Sequence, residues 1–304
     1  MIIRPQSNWF RMLLVWNGSV LPAVLPQLAL MLAISLVALL GDGRIMGERV
    51  PLDTAPFPLL GISLAIFLAF RNNASYQRYL EARQLWGHIL GAARNLTSQT
   101  QAYLPPGRFD HARFAYRLIA FVYLLRHQLR GTDPAGDLER LLGPQAPGAA
   151  RARSHRPIAA LNELRRTLHD ATPGLAGQGH TLWMFDAQLN SMADAVAGCE
   201  RIAGTPIPYP YGVLRHRTIY AYCFLLPFGL VHAIGAATPL ISVFVAYTLV
   251  ALEAIAQEIG DPFGSAPNSL ALEAMSRTIE RSVLELCDLP LPPETPVGKG
   301  YRIN

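Results

Sequence analysis

The stretch Phe57-Pro58-Leu59-Leu60-Gly61-Ile62-Ser63-Leu64-Ala65-Ile66-Phe67-Leu68-Ala69-Phe70 carries no charge. It passes without a strong breaker into Arg71-Asn72-Asn73-Ala74-Ser75-Tyr76-Gln77-Arg78-Tyr79-Leu80-Glu81-Ala82-Arg83. As a helix the uncharged part rises about 21 Å, short of the ~20 apolar residues that cross a hydrocarbon core unaided. The polar continuation keeps a helical pattern as far as Gly87. The sequence therefore predicts one long helix that leaves an apolar layer and runs on into water.

Steps of four residues advance about 40° beyond a full helical turn, so such a series forms one slanted face. Gly61, Ala65 and Ala69 make a small-residue face of the kind that lets helices approach closely in a bilayer. Beside it run Ile62, Ile66 and Phe70, a bulky apolar row. Two readings are open for that row. It faces lipid or core, or several copies around an axis turn it inward as stacked hydrophobic rings, a constriction that controls ions by dewetting.

Outward from this helix the charge pattern organises the chain. Val20 to Leu40 is 21 residues without a charge, a membrane-span candidate. Ser19 is placed to cap it, Pro22 falls in the first turn, and Pro26 is placed to bend it. The run is too long, and its end lacks the small-x-small pattern, for a cleaved leader. Residues 218–230 and 239–256 are two further apolar segments, giving four predicted spans with 20–40 and 57–70. Between them, residues 71–217 hold 18 Arg against 10 Asp and Glu, with helical stretches at 111–130 and 157–169 and Pro- and Gly-rich loops. Residues 257–289 extend the helical region, and 290–304 form a Pro-rich tail predicted to be extended or disordered. No convincing strand alternation is present.

Composition agrees. Charged residues are 15% of 304 and AVILMFWYC residues 51%, a balance that excludes disorder. Three cysteines, Cys199, Cys223 and Cys287, exclude a disulfide scaffold and lack metal-ligand spacing; they read as buried free thiols. The net charge of +5 comes almost entirely from scattered arginines, Lys299 being the only lysine, so nucleic acid is not a predicted partner. The basic insert and Arg4 and Arg11 near the start place both termini and the helical body in the cytoplasm by the positive-inside rule. No HExxH, nucleophile elbow, Walker loop or GxGxxG occurs, which argues against an enzyme, and no cofactor is implied.

Several segments resemble the bestrophin family of ion channels: Trp16-Asn17-Gly18-Ser19; Phe70-Arg71-Asn72-Asn73-Ala74-Ser75-Tyr76-Gln77-Arg78-Tyr79 with Leu85-Trp86-Gly87; Cys199-Glu200-Arg201-Ile202 with Thr205-Pro206-Ile207-Pro208; and Glu258-Ile259-Gly260-Asp261-Pro262-Phe263-Gly264. The resemblance, closest to the bacterial members, covers nearly the whole chain. It implies an all-α membrane protein, a homopentamer around a central pore, with four membrane helices per subunit and a cytosolic helical body, in a bacterial inner membrane. It implies a hydrophobic pore neck at Ile62, Ile66 and Phe70, the row already picked out by spacing. It also implies a second aperture at the cytosolic mouth, which aligns near His180. A ring of imidazoles there would titrate near neutral pH; the alternative is a surface histidine in a Gly-rich loop.

Animal members of the family conduct chloride and bacterial ones are associated with monovalent cations. The aliphatic Ile62 and Ile66 resemble the bacterial type and lack the electropositive ring edge that a phenylalanine neck offers an anion. Monovalent cations, Na⁺ or K⁺, are therefore the expected permeant partners, with an anion-selective channel as the alternative and a carrier or silent scaffold more remote. In animal bestrophins an acidic cluster near the Asp-Pro-Phe-Gly segment clasps calcium. Here Glu258 and Asp261 are weak calcium candidates, because that ion wants six to eight oxygens; Asp261 reads better as a turn residue or as a cap for the next helix. Arg71, Arg78 and Arg83 either pair with Glu81 or a neighbour's acids, or stand at the pore mouth, Arg71 being the candidate there. Glu253, at the end of the fourth span, must face protein, water or the interface. Trp86 and Tyr79 suit either an interface or a packed core.

Overall fold

A computed structural model of the chain describes residues 2, 8–13, 15–16, 18–45, 48–49, 55–144, 155–175, 177–296 and 298. Ten helices carry these described residues: α1 Trp9–Leu13, α2 Leu21–Leu40, α3 Pro56–Tyr103, α4 His111–Arg130, α5 Ala135–Leu142, α6 Arg156–Ala171, α7 Gln178–Gly204, α8 Tyr209–Ile234, α9 Thr238–Gly260 and α10 Leu272–Leu286. Strand is confined, among the described residues, to an antiparallel pair, Arg44–Ile45 with Glu48–Arg49, Arg44 opposite Arg49. Two residues per strand are too few for alternation to betray them, which is why the sequence did not predict this hairpin.

Helix α3 runs unbroken for 48 residues. Gly87 and Gly91 interrupt nothing, since a single glycine costs a helix interior only ~1 kcal/mol relative to alanine and no proline follows Pro58 within it. The chain divides into two compact units, the boundaries falling at Tyr79, Pro206 and Pro262. The sequence had placed the ends of the insert at 71 and 217. The shift at its start arises because Arg78 of α3 still engages Gly260 of α9, its Nε donating to the Gly260 carbonyl at 3.2 Å. At its end, α8 begins at Tyr209, so the charged residues Arg215, His216 and Arg217 lie inside an apolar helix.

The first unit to consider is formed by α2, the beginning of α3, α8 and α9. Ser19 Oγ accepts the Leu21 N–H at 3.1 Å, but α2 begins at Leu21, so Val20 rather than Ser19 stands at the N-cap position. Helix α9 packs against both α2 and α8. Val24, Leu28 and Met31 of α2 meet Leu64 and Leu68 of α3, Ile219 and Cys223 of α8, and Ala246 and Val250 of α9 in one apolar core. The single 3₁₀ turn Gly235–Ala237 joins α8 to α9, opened by Gly235 at φ 53°, a left-handed value suited to glycine, and closed by Thr238 Oγ1 donating to the Gly235 carbonyl at 2.7 Å. Gly229 is required on α8 because a Cβ there would collide with the Phe57 ring. Leu21–Leu40, Pro56–Tyr103 and the run Tyr209–Gly260 are long and apolar enough to cross a membrane, the last folded as the two helices α8 and α9.

The other unit centres on α4. Leu118 through Leu125 are all buried, the mark of a helix surrounded on every side. Asp110 caps it, accepting the Arg113 N–H at 2.8 Å, and Gly131 ends it at φ 63°. Around it pack α5, α6, α7, α10 and the later turns of α3. Trp86 is 1% exposed and Tyr79 packs against the same core, so both belong to packing rather than to a membrane interface. Glu280 of α10, 1% exposed, accepts the Tyr123 hydroxyl at 2.5 Å, Arg140 Nη1 at 2.5 Å and Arg277 Nη1 at 2.9 Å. Burial, reinforced by that carboxylate, pushes the Tyr123 phenol well above its usual range.

The described part of the tail, 290–296, has no regular structure, in keeping with the sequence, and is held to α10 by Arg281 Nη1 donating to the Pro292 carbonyl at 2.5 Å. Cys199 and Cys223 are buried and Cys287 half-buried, all three free. Burial pushes the Cys199 thiol up to about 12, with Glu200 and Glu81 adding to it.

Candidate functional site

On α3 a spacing of seven and four puts Phe57, Leu64, Leu68, Ser75, Ala82 and Trp86 on the buried side of the helix. The row Ile62, Ile66, Phe70 lies off that side and is 59%, 53% and 72% exposed. Three large apolar residues in register, turned away from the subunit's own core, are an exposed patch that needs covering by lipid, by another chain or by a dewetted channel. The small residues beside them divide. Ala65 and Ala69 are exposed. Gly61 is accounted for within the subunit, because a Cβ there would come 3.0 Å from the Tyr222 hydroxyl of α8.

His180 is exposed and stands in the first turn of α7, not in a Gly-rich loop. Gly177, left-handed at φ 70°, opens that helix, and its carbonyl accepts the His180 N–H at 2.9 Å. Glycines flanking a histidine read as a loop in sequence; here one of them starts a helix and the next, Gly179, is carried inside it.

The arginines following the neck row have distinct surroundings. Arg71 is half-buried, with Nε and Nη1 turned inward and without protein acceptors, in electrostatic reach of Arg215 and Glu253. Arg83 is exposed. Glu81 does not pair along its own helix but with Arg201 of α7. That partner lies 120 positions away in the chain and is none of Arg71, Arg78 and Arg83, the partners the sequence suggested.

Glu253 faces protein: it pairs with Arg215 of α8, a residue 8% exposed. The sequence reading did not single out Arg215. The signal was present, since Arg215 and Glu253 are nearly equidistant from the Gly235 turn and must meet once α8 and α9 fold back on each other.

Glu258 is half-buried near the end of α9, and Asp261 is exposed where that helix stops. Among the described residues, no three His, Cys, Asp or Glu side chains gather as a metal site. Asp261 does not cap the following helix, which begins at Leu272 behind Ala271. The intervening turn is instead closed by the Leu270 N–H donating to the Pro262 carbonyl at 2.9 Å.

The family profile described as Bacterial/Fungal Bestrophin protein matches residues 1–285. The chain belongs to this bestrophin family. It is 46% identical over 293 residues, 95% of each chain, to a Ralstonia nicotianae protein named as a voltage-dependent anion channel-forming protein. It is 39% identical over 313 residues to YneE of Salmonella typhi, which carries the same description, covering the whole of both chains. Among solved structures it resembles the bacterial bestrophin homologue of Klebsiella pneumoniae, with a TM-score of 0.83 and 39% identity over 88% of this chain and 99% of that one. The bestrophin reading of the sequence and the all-α membrane fold are thereby established. The relatives are named as channels, in keeping with the expectation that the chain is not an enzyme.

Proposed function

We propose that this bestrophin is one subunit of a homopentameric channel that passes monovalent ions passively through an axial pore. The observation that carries the reading is the exposed row Ile62, Ile66 and Phe70, turned away from its own subunit's core in a chain of a channel family. Around a fivefold axis these side chains form three stacked apolar rings, a neck that ions cross only when it is wetted. The spans are α2, the beginning of α3, α8 and α9, in a bacterial inner membrane with lipid on their outer faces and both termini in the cytoplasm. The Arg-rich body then lies on the side the positive-inside rule favours. His180 forms the cytosolic aperture in this scheme. The inward-turned Nε and Nη1 of Arg71 argue against a charge ring at the pore mouth.

The aliphatic neck supports monovalent cations, Na⁺ or K⁺, as the permeant species. The second reading, an anion-selective pore, is favoured by the names of the relatives. Recording in a planar bilayer with asymmetric NaCl separates them: a reversal potential near the sodium equilibrium potential supports the cation reading, and one near that of chloride overturns it. A purified protein that is electrically silent under all ionic conditions, or that lacks fivefold symmetry, overturns the channel itself. The swap Ile66→Phe is expected to move the reversal potential toward chloride; unchanged selectivity removes the argument from ring chemistry.

A further inference from the structure

Arg71 of α3, Arg215 of α8 and Glu253 of α9 bring two guanidinium groups to one carboxylate inside a single unit. Arginine stays protonated in proteins, so with Glu253 ionised this trio holds one positive charge more than it neutralises. Where α3, α8 and α9 meet, water screens such charges weakly, and an uncompensated charge there is far costlier than at a surface.

The hydrogen-bond inventory points the same way. Arg215 is 8% exposed, and only its pairing with Glu253 is satisfied; its Nε and Nη1 are buried without a protein acceptor. Arg71 Nε and Nη1 are in the same condition, and so is the hydroxyl of Ser75, a fully buried residue one turn along α3. These atoms are already enclosed by the subunit's own helices, so a neighbouring subunit is not what covers them. A Cβ on Gly260 would stand 3.1 Å from Ser75 Oγ and 4.0 Å from Arg71 Nη2, so the glycine keeps this corner open.

We infer that the Arg71–Arg215–Glu253 cluster binds a small monovalent inorganic anion, chloride in the first instance, between α3, α8 and α9 of each subunit. A water molecule meets orphan donors but leaves the extra charge; a halide meets both, accepting several N–H and O–H groups at once. The site is separate from the conduction path and does not depend on which ion permeates. Because Arg71 directly follows Phe70, the bound anion holds in place the end of the neck row.

The test uses the full-length protein purified in detergent. Its melting temperature is followed as sodium gluconate is replaced by sodium chloride at constant ionic strength, and crystals grown in sodium bromide are mapped by anomalous scattering. The melting temperature is expected to rise and saturate with chloride, with a bromide peak against both guanidinium groups. Arg71→Gln removes the surplus charge and should abolish the chloride dependence. Glu253→Gln leaves a further uncompensated charge and should shift half-saturation to lower chloride, by about tenfold for each 1.4 kcal/mol of added attraction. A purely structural ion pair predicts the opposite for Glu253→Gln, lost stability with no chloride response. Should Arg71→Gln fail to fold, the Glu253→Gln response and the bromide map decide. Wild-type melting indifferent to chloride, or a map with no bromide at the cluster, overturns the proposal.

Discussion

Two carboxylates, buried Glu280 in one unit and half-buried Glu253 in the other, are treated in opposite ways. Glu280 has three donors on its two oxygens, from Tyr123, Arg140 and Arg277. Glu253 has one partner, Arg215, on one oxygen, while its other oxygen and two guanidinium groups nearby retain buried, unengaged atoms. A buried polar network that is complete fixes a fold, and one that is incomplete is costly unless something else completes it. The difference separates a region whose polar interior is structural from one whose polar interior is available to a ligand.

The sharpest way to break this comparison is Glu280→Ala. Removing one partner from a buried ion pair costs about 3–5 kcal/mol, and the thermal melting of the full protein should fall accordingly. A loss below about 1 kcal/mol, the scale of an exposed pair, would show that Glu280 is not the pin its contacts describe.

Next comes a contrast along α3 itself. Leu68→Ala empties a position 1% exposed and should cost about 2–5 kcal/mol. Ile66→Ala, two residues away on the exposed row, should leave the stability of the subunit fold within about 0.5 kcal/mol while raising single-channel conductance. Equal losses of stability at the two sites, with conductance unchanged, would mean that Ile66 is core.

A smaller effect is expected at Gly229→Ala, where the added methyl meets the Phe57 ring. Overpacking of this kind costs about 1–3 kcal/mol, and Phe57→Leu in the same chain should recover part of it. No recovery in the double variant would place the strain elsewhere.

The smallest is a pH effect in the α4 unit. Burial raises the Asp137 carboxyl, but the His127 hydrogen bond and the nearby Arg126 and Arg140 outweigh it and hold it below its ordinary value. A depressed folded-state carboxyl contributes stability above the unfolded value of 3.8 and loses it as pH falls through the folded one. Acid melting curves of Asp137→Asn should therefore lie below wild type at neutral pH and converge with it in strong acid. A constant offset at every pH would assign the loss to packing alone.

Much of the fold was legible because a bilayer demands long uncharged runs. Val20–Leu40 gave α2 almost to the residue, and the passage from Phe57 into Arg83 gave the start and continuity of α3, though the helix runs on past Gly87 to Tyr103. The beginning of α8 was hidden because Arg215, His216 and Arg217 look like solvent-facing residues until Glu253 is brought beside Arg215. The row Ile62, Ile66 and Phe70 was legible as a stripe, since its spacing is a property of the helix. What covers that stripe was not, since a single chain's sequence does not encode it as a spacing. The alternative reading of His180 as a loop residue fails because glycine signals a break and a helix start with the same letter. The Glu81–Arg201 pair joins distant parts of the chain, and sequence spacing carries no record of it.

The state of the cysteines has a practical consequence. The thiolate, not the thiol, attacks a maleimide, and the Cys199 thiol, pushed up to about 12, offers almost no thiolate at neutral pH. Cys223 is sealed in its apolar core, leaving half-buried Cys287 as the thiol closest to solvent. With Cys287 replaced by serine, the chain becomes a nearly silent background on which a single engineered cysteine can report, by the speed of its alkylation, whether water reaches it.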